Sequence, residues 1–126
     1  PYRSGEERMK VIGIIGTRRR DTDEDYEIVK EAFLKIYKPG DIICSGLCKR
    51  GGDRFATILS ALYQTSFIWH EAEWDKYGKS AGFVRNTYIA NDSDVLIACI
   101  SKDRTGGTED TIRKFLKLGK TELIVV

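Results

Sequence analysis

At 126 residues, with 41% hydrophobic and 32% charged, the chain has the make-up of one soluble globular domain, able to bury roughly two-thirds of its unfolded surface. A net charge of +2 is too mild to argue for a nucleic-acid partner. The longest apolar run, Val95 to Ile100, is far short of the roughly 18 residues a membrane span requires. Three cysteines without a Cys-x-x-Cys pair fit reduced thiols and a cytoplasmic setting.

Residues 1–9 are polar and carry no signal-peptide pattern, so they are expected to be a frayed or processed end, with one domain over 10–126. Lys10 to Ile15 is a continuous apolar run, the mark of a strand covered on both faces. It stops at Gly16-Thr17-Arg18-Arg19-Arg20. A helix from about Asp23 to Tyr37 follows, with Ile28, Val29, Ala32, Phe33 and Ile36 in one stripe, and Pro39-Gly40 ends it. The second strand covers Asp41 to Cys44. The glycine-rich stretch from Ser45 to Ala56 then leads into a helix reaching about Tyr63, whose Phe55, Ile58, Leu59 and Leu62 keep helical spacing.

A short third strand, Phe67-Ile68-Trp69, suits a position near the sheet edge. The aromatic stretch Glu71 to Lys79 reads as irregular, and a helix from about Ser80 to Asn91 follows it. The fourth strand, Val95 to Ile100, is the most apolar. A loop over Ser101 to Gly107 precedes a helix capped by Thr108, with Glu109 and Asp110 in its first turn. Gly119 ends that helix, and Leu123 to Val126 is the fifth strand. Alternation at this pace predicts right-handed βαβ crossovers: a Rossmann-like, doubly wound α/β domain of three layers, its five parallel strands in the order 3-2-1-4-5.

That topology brings four loops to one sheet edge, where open α/β sheets bind ligands. In the first, Gly16, Thr17 and Arg18 open a nucleotide-type turn, although Gly13 and Gly16 alone cannot make a dinucleotide fingerprint. Arg18, Arg19 and Arg20 are candidates to grip phosphate through two-pronged bonds, but three successive arginines cannot all point inward, so at least one is expected to be a solvated surface charge. In the second, Ser45, Gly46, Lys49, Gly51, Gly52, Asp53 and Arg54 form a strand-to-helix corner whose backbone N–H groups suit an anion. It is not a Walker loop, since Gly52-Asp53 replace the required Lys-Ser/Thr. The bland alternative is a tight turn with Asp53 as helix cap. Cys48 lies in this loop, and is expected to be unreactive.

Arg85 and Asn86 follow Ala81-Gly82, where small residues allow close approach; Arg85 is either a phosphate clamp or a surface ion-pair partner. Thr105, Gly106, Gly107 and Thr108 form a second glycine turn entering a helix, which serves either phosphate or ribose binding or simple capping. Trp74 and Tyr77 either stack on a base or cover a core edge. His70 has no metal-spaced partner and is assigned no chemistry, and no metal site is expected.

Taken in register, Gly16-Thr17-Arg18, the Ser45–Ala56 motif, Trp74-x-x-Tyr77-Gly78-Lys79-x-Ala81-Gly82-x-x-Arg85-Asn86 and Gly106-Gly107-Thr108 resemble the YspA-like branch of the SLOG superfamily. That superfamily also holds the lonely-guy phosphoribohydrolases and the DNA-processing protein DprA/Smf. The resemblance runs from about Lys10 to Val126. It implies a nucleotide or nucleotide-derived ligand at the sheet edge, with relatives that sense or process such ligands and that suggest a homodimer. The phosphoribohydrolases place a glutamate three residues past the threonine of their glycine motif, where this chain has Thr111.

The expected function is therefore nucleotide binding. One rival is N-glycosidic cleavage of a nucleoside monophosphate, with Arg85 on phosphate and Glu109 or Asp53 as the carboxylate. The other is single-stranded nucleic-acid binding through Arg18–Arg20, Lys49-Arg50 and Lys102–Arg104. Nearby Asp21, Asp23, Asp103, Glu109 and Asp110 offset that basic field.

Overall fold

The computed structural model describes residues 9–126; the expectation for the first eight residues lies outside them. The apolar run after Lys10 forms β1 (Val11–Gly16), and the chain continues through α1 (Asp23–Ile36), β2 (Ile42–Ser45), α2 (Gly52–Tyr63) and β3 (Phe67–Trp69). After α3 (Trp74–Tyr77) and a 3₁₀ turn over Gly78–Ser80 come α4 (Ala81–Asp92), β4 (Val95–Cys99), α5 (Gly107–Lys117) and β5 (Leu123–Val125). The strands lie in the order β3-β2-β1-β4-β5, every pair parallel, as the alternation of patterns predicts. No helix among the described residues is long and apolar enough to cross a membrane.

Strand alternation sorts the core into two halves. Ile12 and Ile14 of β1, Ile43 of β2 and Ile97 of β4 face α1 and α2, meeting Val29, Phe33, Phe55 and Leu59. Ile15, Cys44, Leu96 and Ala98 face the other way, onto Ile89 and Ala90 of α4 and Ile112 and Phe115 of α5. The crossovers change face between β3 and β4, so strand order reverses where β1 lies beside β4. The loops leaving these two strands diverge there and open a crevice between them.

Several local expectations are corrected. The stretch after β3 is not wholly irregular, because α3 and the 3₁₀ turn occupy Trp74–Ser80. Neither Asp53 nor Thr108 caps a helix. Gly51 (φ 72°) and Gly106 (φ 100°) hold those positions in backbone conformations that side chains resist, and neither helix has a side-chain cap. By contrast, Thr22 caps α1 in a reciprocal box with Asp25, which satisfies the backbone N–H groups of both residues.

Candidate functional site

The crevice holds a cavity of about 350 Å³ lined by Gly16, Thr17, Arg18 and Arg19 from the β1 loop, Cys48 and Asp53 from the β2–α2 corner, Arg85 and Asn86 from α4, and Thr105 to Thr108 with Thr111 from the start of α5. Ile15 and Ile89 floor it. Nine of the residues marked in the sequence thus meet around one space: Gly16, Thr17, Arg18, Asp53, Arg85, Asn86, Gly106, Gly107 and Thr108.

Ser45, Gly46, Gly51, Gly52 and Arg54 stand behind this wall rather than on it, and exposed Lys49 does not line the cavity. Their contacts show why. A Cβ on Gly52 would collide with the Ile15 and Gly16 backbone, and one on Gly51 would lie 2.5 Å from the Thr17 carbonyl. These glycines let the start of α2 press against the end of β1. Asp21 staples the two loops together, its Oδ1 accepting from Gly51 N at 2.7 Å and Arg54 Nε at 2.8 Å. Those bonds, Gly51's first, hold the Asp21 carboxyl below its ordinary range. Ser45 donates to the Ile14 carbonyl and, at 2.8 Å, to Asp53 Oδ1, while Cys48 N donates to Asp53 Oδ2 at 3.0 Å. Asp53 therefore organises the glycine corner and still lines the cavity. Gly46 keeps the space between Asp53 and Arg85 clear, since a Cβ there would sit 2.6 Å from Asp53 Oδ2 and 2.9 Å from Arg85 Nη1.

The three arginines take three different roles. Arg20 is structural, pairing with Asp25 and donating to the carbonyls of Ile100 and Val126. Arg19 forms a two-pronged pair with Asp103 at 2.8 and 3.0 Å and also reaches Thr105. Arg19 together with the Ser101 and Thr105 hydroxyls holds the Asp103 carboxyl far below the usual carboxylate range. That network fixes the loop before α5, where Arg104 adopts a left-handed backbone (φ 55°) and clasps Glu109 through two bonds of 2.8 and 3.0 Å. Arg18 is exposed, lines the cavity and makes no hydrogen bond or ion pair among the described residues. Arg85 donates only its Nε, to Asn86 Oδ1 at 3.0 Å, leaving both terminal nitrogens without an acceptor among the described residues.

Buried Asn86 joins α4 to α5, its Nδ2 donating to the Gly107 carbonyl at 3.2 Å and to Asp110 Oδ2 at 3.1 Å. Asp110 is also held by Lys114 at 2.8 Å. The two acids of the first α5 turn are thus occupied elsewhere, and Thr108 and Thr111 are the α5 side chains on the cavity wall, the Thr111 hydroxyl donating back to the Gly107 carbonyl. Among the described residues, Asp53 is the one carboxylate on the cavity wall.

Arg19 and Thr105 stand out in the sequence only as members of the arginine run and the glycine turn, and Thr111 only as the position without a glutamate; their meeting in one wall was not legible there. Arg19 and Thr105 are brought together by an 86-residue contact that spacing does not reveal. Trp74 is 59% exposed, and neither it nor Tyr77 lines the cavity. His70 also lies outside it, stacked on Tyr88 and bonded to Asp92.

Fold and crevice define a class: a doubly wound α/β domain with a polar, arginine-flanked cleft at its topological switch point. No protein-family model matches the chain, and no curated protein does. Among solved structures, the molybdenum cofactor binding protein from the phototrophic bacterium Rippkaea orientalis shares the fold, with a TM-score of 0.68 and 22% sequence identity over 94% of this chain and 76% of that one.

Proposed function

We propose that this protein binds a phosphorylated, nucleotide-type small molecule in the crevice, as a SLOG-like domain of the YspA-like branch. The observation that carries the proposal is the uncapped N-terminus of α5, flanked by two guanidinium groups with unused donors. The first N–H groups of an 11-residue helix point outward with no side chain to satisfy them. Helix dipole, Arg18 and Arg85 then favour an anion at one place, and Arg85 offers a planar fork suited to phosphate. In this reading Asp53 faces the sugar hydroxyls, and Ile15 and Ile89 lie under the less polar part of the ligand. Gly46, Gly51 and Gly52 act by shaping the corner.

Binding without glycosidic cleavage is the form of this activity that the acids favour. Glu109 is neutralised by Arg104 and Asp110 by Lys114, so neither is free to steady a cationic sugar or activate water. Nucleic-acid binding is disfavoured because Arg19, Arg20, Arg54 and Arg104 are each paired with a neighbouring carboxylate.

The Rippkaea orientalis neighbour supports small-molecule binding by this fold and motivates a second reading, in which the ligand is the molybdenum cofactor itself. Mass spectrometry of small molecules released from gently purified protein, with elemental analysis for molybdenum on the same sample, separates the two. A nucleotide without molybdenum, absent from an Arg18→Ala/Arg85→Ala variant, is the expected result. Stoichiometric molybdenum supports the second reading. A nucleotide carried equally by the variant would place binding elsewhere and overturn the proposed site.

A further inference from the structure

We propose that Cys44, His70 and Asp92 form a zinc site, separate from the crevice, that clips the end of α4 to the β2–β3 side of the sheet. One donor atom from each (the Cys44 Sγ, an imidazole nitrogen of His70 and an Asp92 carboxylate oxygen) lies within 4.8 Å of the other two. None of the three lines the crevice. They come from three elements: Cys44 from β2, His70 from the residue following β3, and Asp92 from the last position of α4.

Each donor is placed by contacts independent of a metal. The Cys44 backbone is locked in the sheet opposite Gly13 and Ile68. His70 donates its backbone N–H to the Ser45 carbonyl at 3.0 Å, which continues the β3 register, and its ring stacks on Tyr88 with centroids 5.4 Å apart. Its Nε2 lies 2.5 Å from Asp92 Oδ2. Asp92 has a side chain 40% exposed and His70 one 23% exposed, so an ion can enter from solvent while the sulfur lies at the buried end.

The donor set selects the ion. Thiolate, imidazole and carboxylate together suit zinc, with bonds of about 2.0–2.3 Å, better than calcium or magnesium, which take oxygen donors. Donors about 2 Å from a tetrahedral ion lie roughly 3.3 Å apart. The His70–Asp92 contact of 2.5 Å must therefore open by roughly 1 Å for both to bind one ion, which the exposed Asp92 carboxylate allows. On binding, the Cys44 S–H releases its proton to solvent and the zinc–sulfur bond forms. Neutral His70 and ionised Asp92 supply the other two electron pairs, and two negative ligands balance the dication. A water molecule completes four-coordination.

The apo thiol is not a nucleophile in its own right: burial, with the Asp92 charge, pushes Cys44 up to about 12. Lys120 is the nearby cation that opposes binding. Its ammonium is held by the carbonyls of Ala90, Asn91 and Ser93 at 2.7–2.9 Å, and it stays fixed at the helix end.

The test is titration of reduced, metal-free protein with cobalt(II), followed by displacement with zinc. The expected result is one equivalent of cobalt bound, with a thiolate-to-metal charge-transfer band and tetrahedral d–d bands, all removed by zinc. Cys48→Ser should keep these bands and Cys44→Ala should lose the charge transfer. Asp92→Asn, a surface change that leaves the core untouched, should weaken cobalt affinity at least about tenfold. No charge-transfer band in the wild-type protein, or a band that survives Cys44→Ala, overturns the proposal. Should Cys44→Ala fail to fold, unchanged affinity in Asp92→Asn overturns it equally.

Discussion

Arg85 and Gly51 show how residues of similar promise in the sequence separate once placed. Arg85 has two unused terminal nitrogens over the cavity and one bond to Asn86. Arg85→Lys keeps the charge and loses the fork, so affinity for a nucleoside monophosphate should fall by about 1–2 kcal/mol in calorimetry with little change in melting temperature. A lower melting temperature at unchanged affinity would make Arg85 structural instead. Gly51 looks like a ligand-facing glycine from its motif, where a valine is expected to block ligand and leave the fold intact. The positive φ and the 2.5 Å approach of a Cβ to the Thr17 carbonyl indicate otherwise. Gly51→Val should lower stability by at least about 1–3 kcal/mol, visible in denaturant unfolding; a fully stable variant would contradict this packing role. The motif was legible because glycine is chemically conspicuous. Which way each glycine faces was not, since that depends on β1, some 35 residues earlier in the chain, as the 30-residue separation of Asp21 and Gly51 illustrates.

At the scale of elements, strands were the most legible part of the chain. Fully buried strands carry unbroken apolar runs, and β4 is buried at every position. Helix starts were less so: α2 and α5 begin on glycines whose positive φ replaces a side-chain cap, and composition alone favours Asp53 and Thr108 for that task. The short α3 escaped because four residues cannot display a helical period. The convergence of Cys44, His70 and Asp92 escaped for a related reason, as even the nearer pair is 22 residues apart. Two predictions belong here. Asp41 ties β1 to the α1–β2 turn, almost fully buried, and accepts from Lys10 Nζ at 2.6 Å, Lys10 N at 3.0 Å and Lys38 N at 2.9 Å. Burial works against its charge, but the Lys10 and Lys38 bonds outweigh it and hold the carboxyl below its ordinary range. The stability it adds is therefore complete above the unfolded pKa of about 4 and is lost as pH falls through the lower native value. Asp41→Asn should cost about 1.5–3 kcal/mol at neutral pH and flatten the acid side of the stability profile, with melting curves across pH as the check. The second concerns the start of α5. With Glu109 and Asp110 held by Arg104 and Lys114, release of free base from AMP should stay at the uncatalysed background in a chromatographic assay. Steady release abolished by Glu109→Gln or Asp53→Asn would restore the enzyme reading.

At the scale of the whole molecule, the account rests on topology bringing separate loops to one place. The change of helix face between β3 and β4 opens the crevice beside β1 and β4, and Arg18, Arg85 and the start of α5 reach it from three different segments. The central claim is that this convergence recognises phosphate. Its most direct test is calorimetric titration of the wild-type protein and the Arg18→Ala/Arg85→Ala variant with a panel of ribonucleoside monophosphates and the matching nucleosides. The account predicts that at least one monophosphate binds at a single site, that its nucleoside binds at least about tenfold more weakly, and that the double variant loses this preference. Equal affinity for nucleoside and monophosphate, or a preference that survives in the variant, would contradict it.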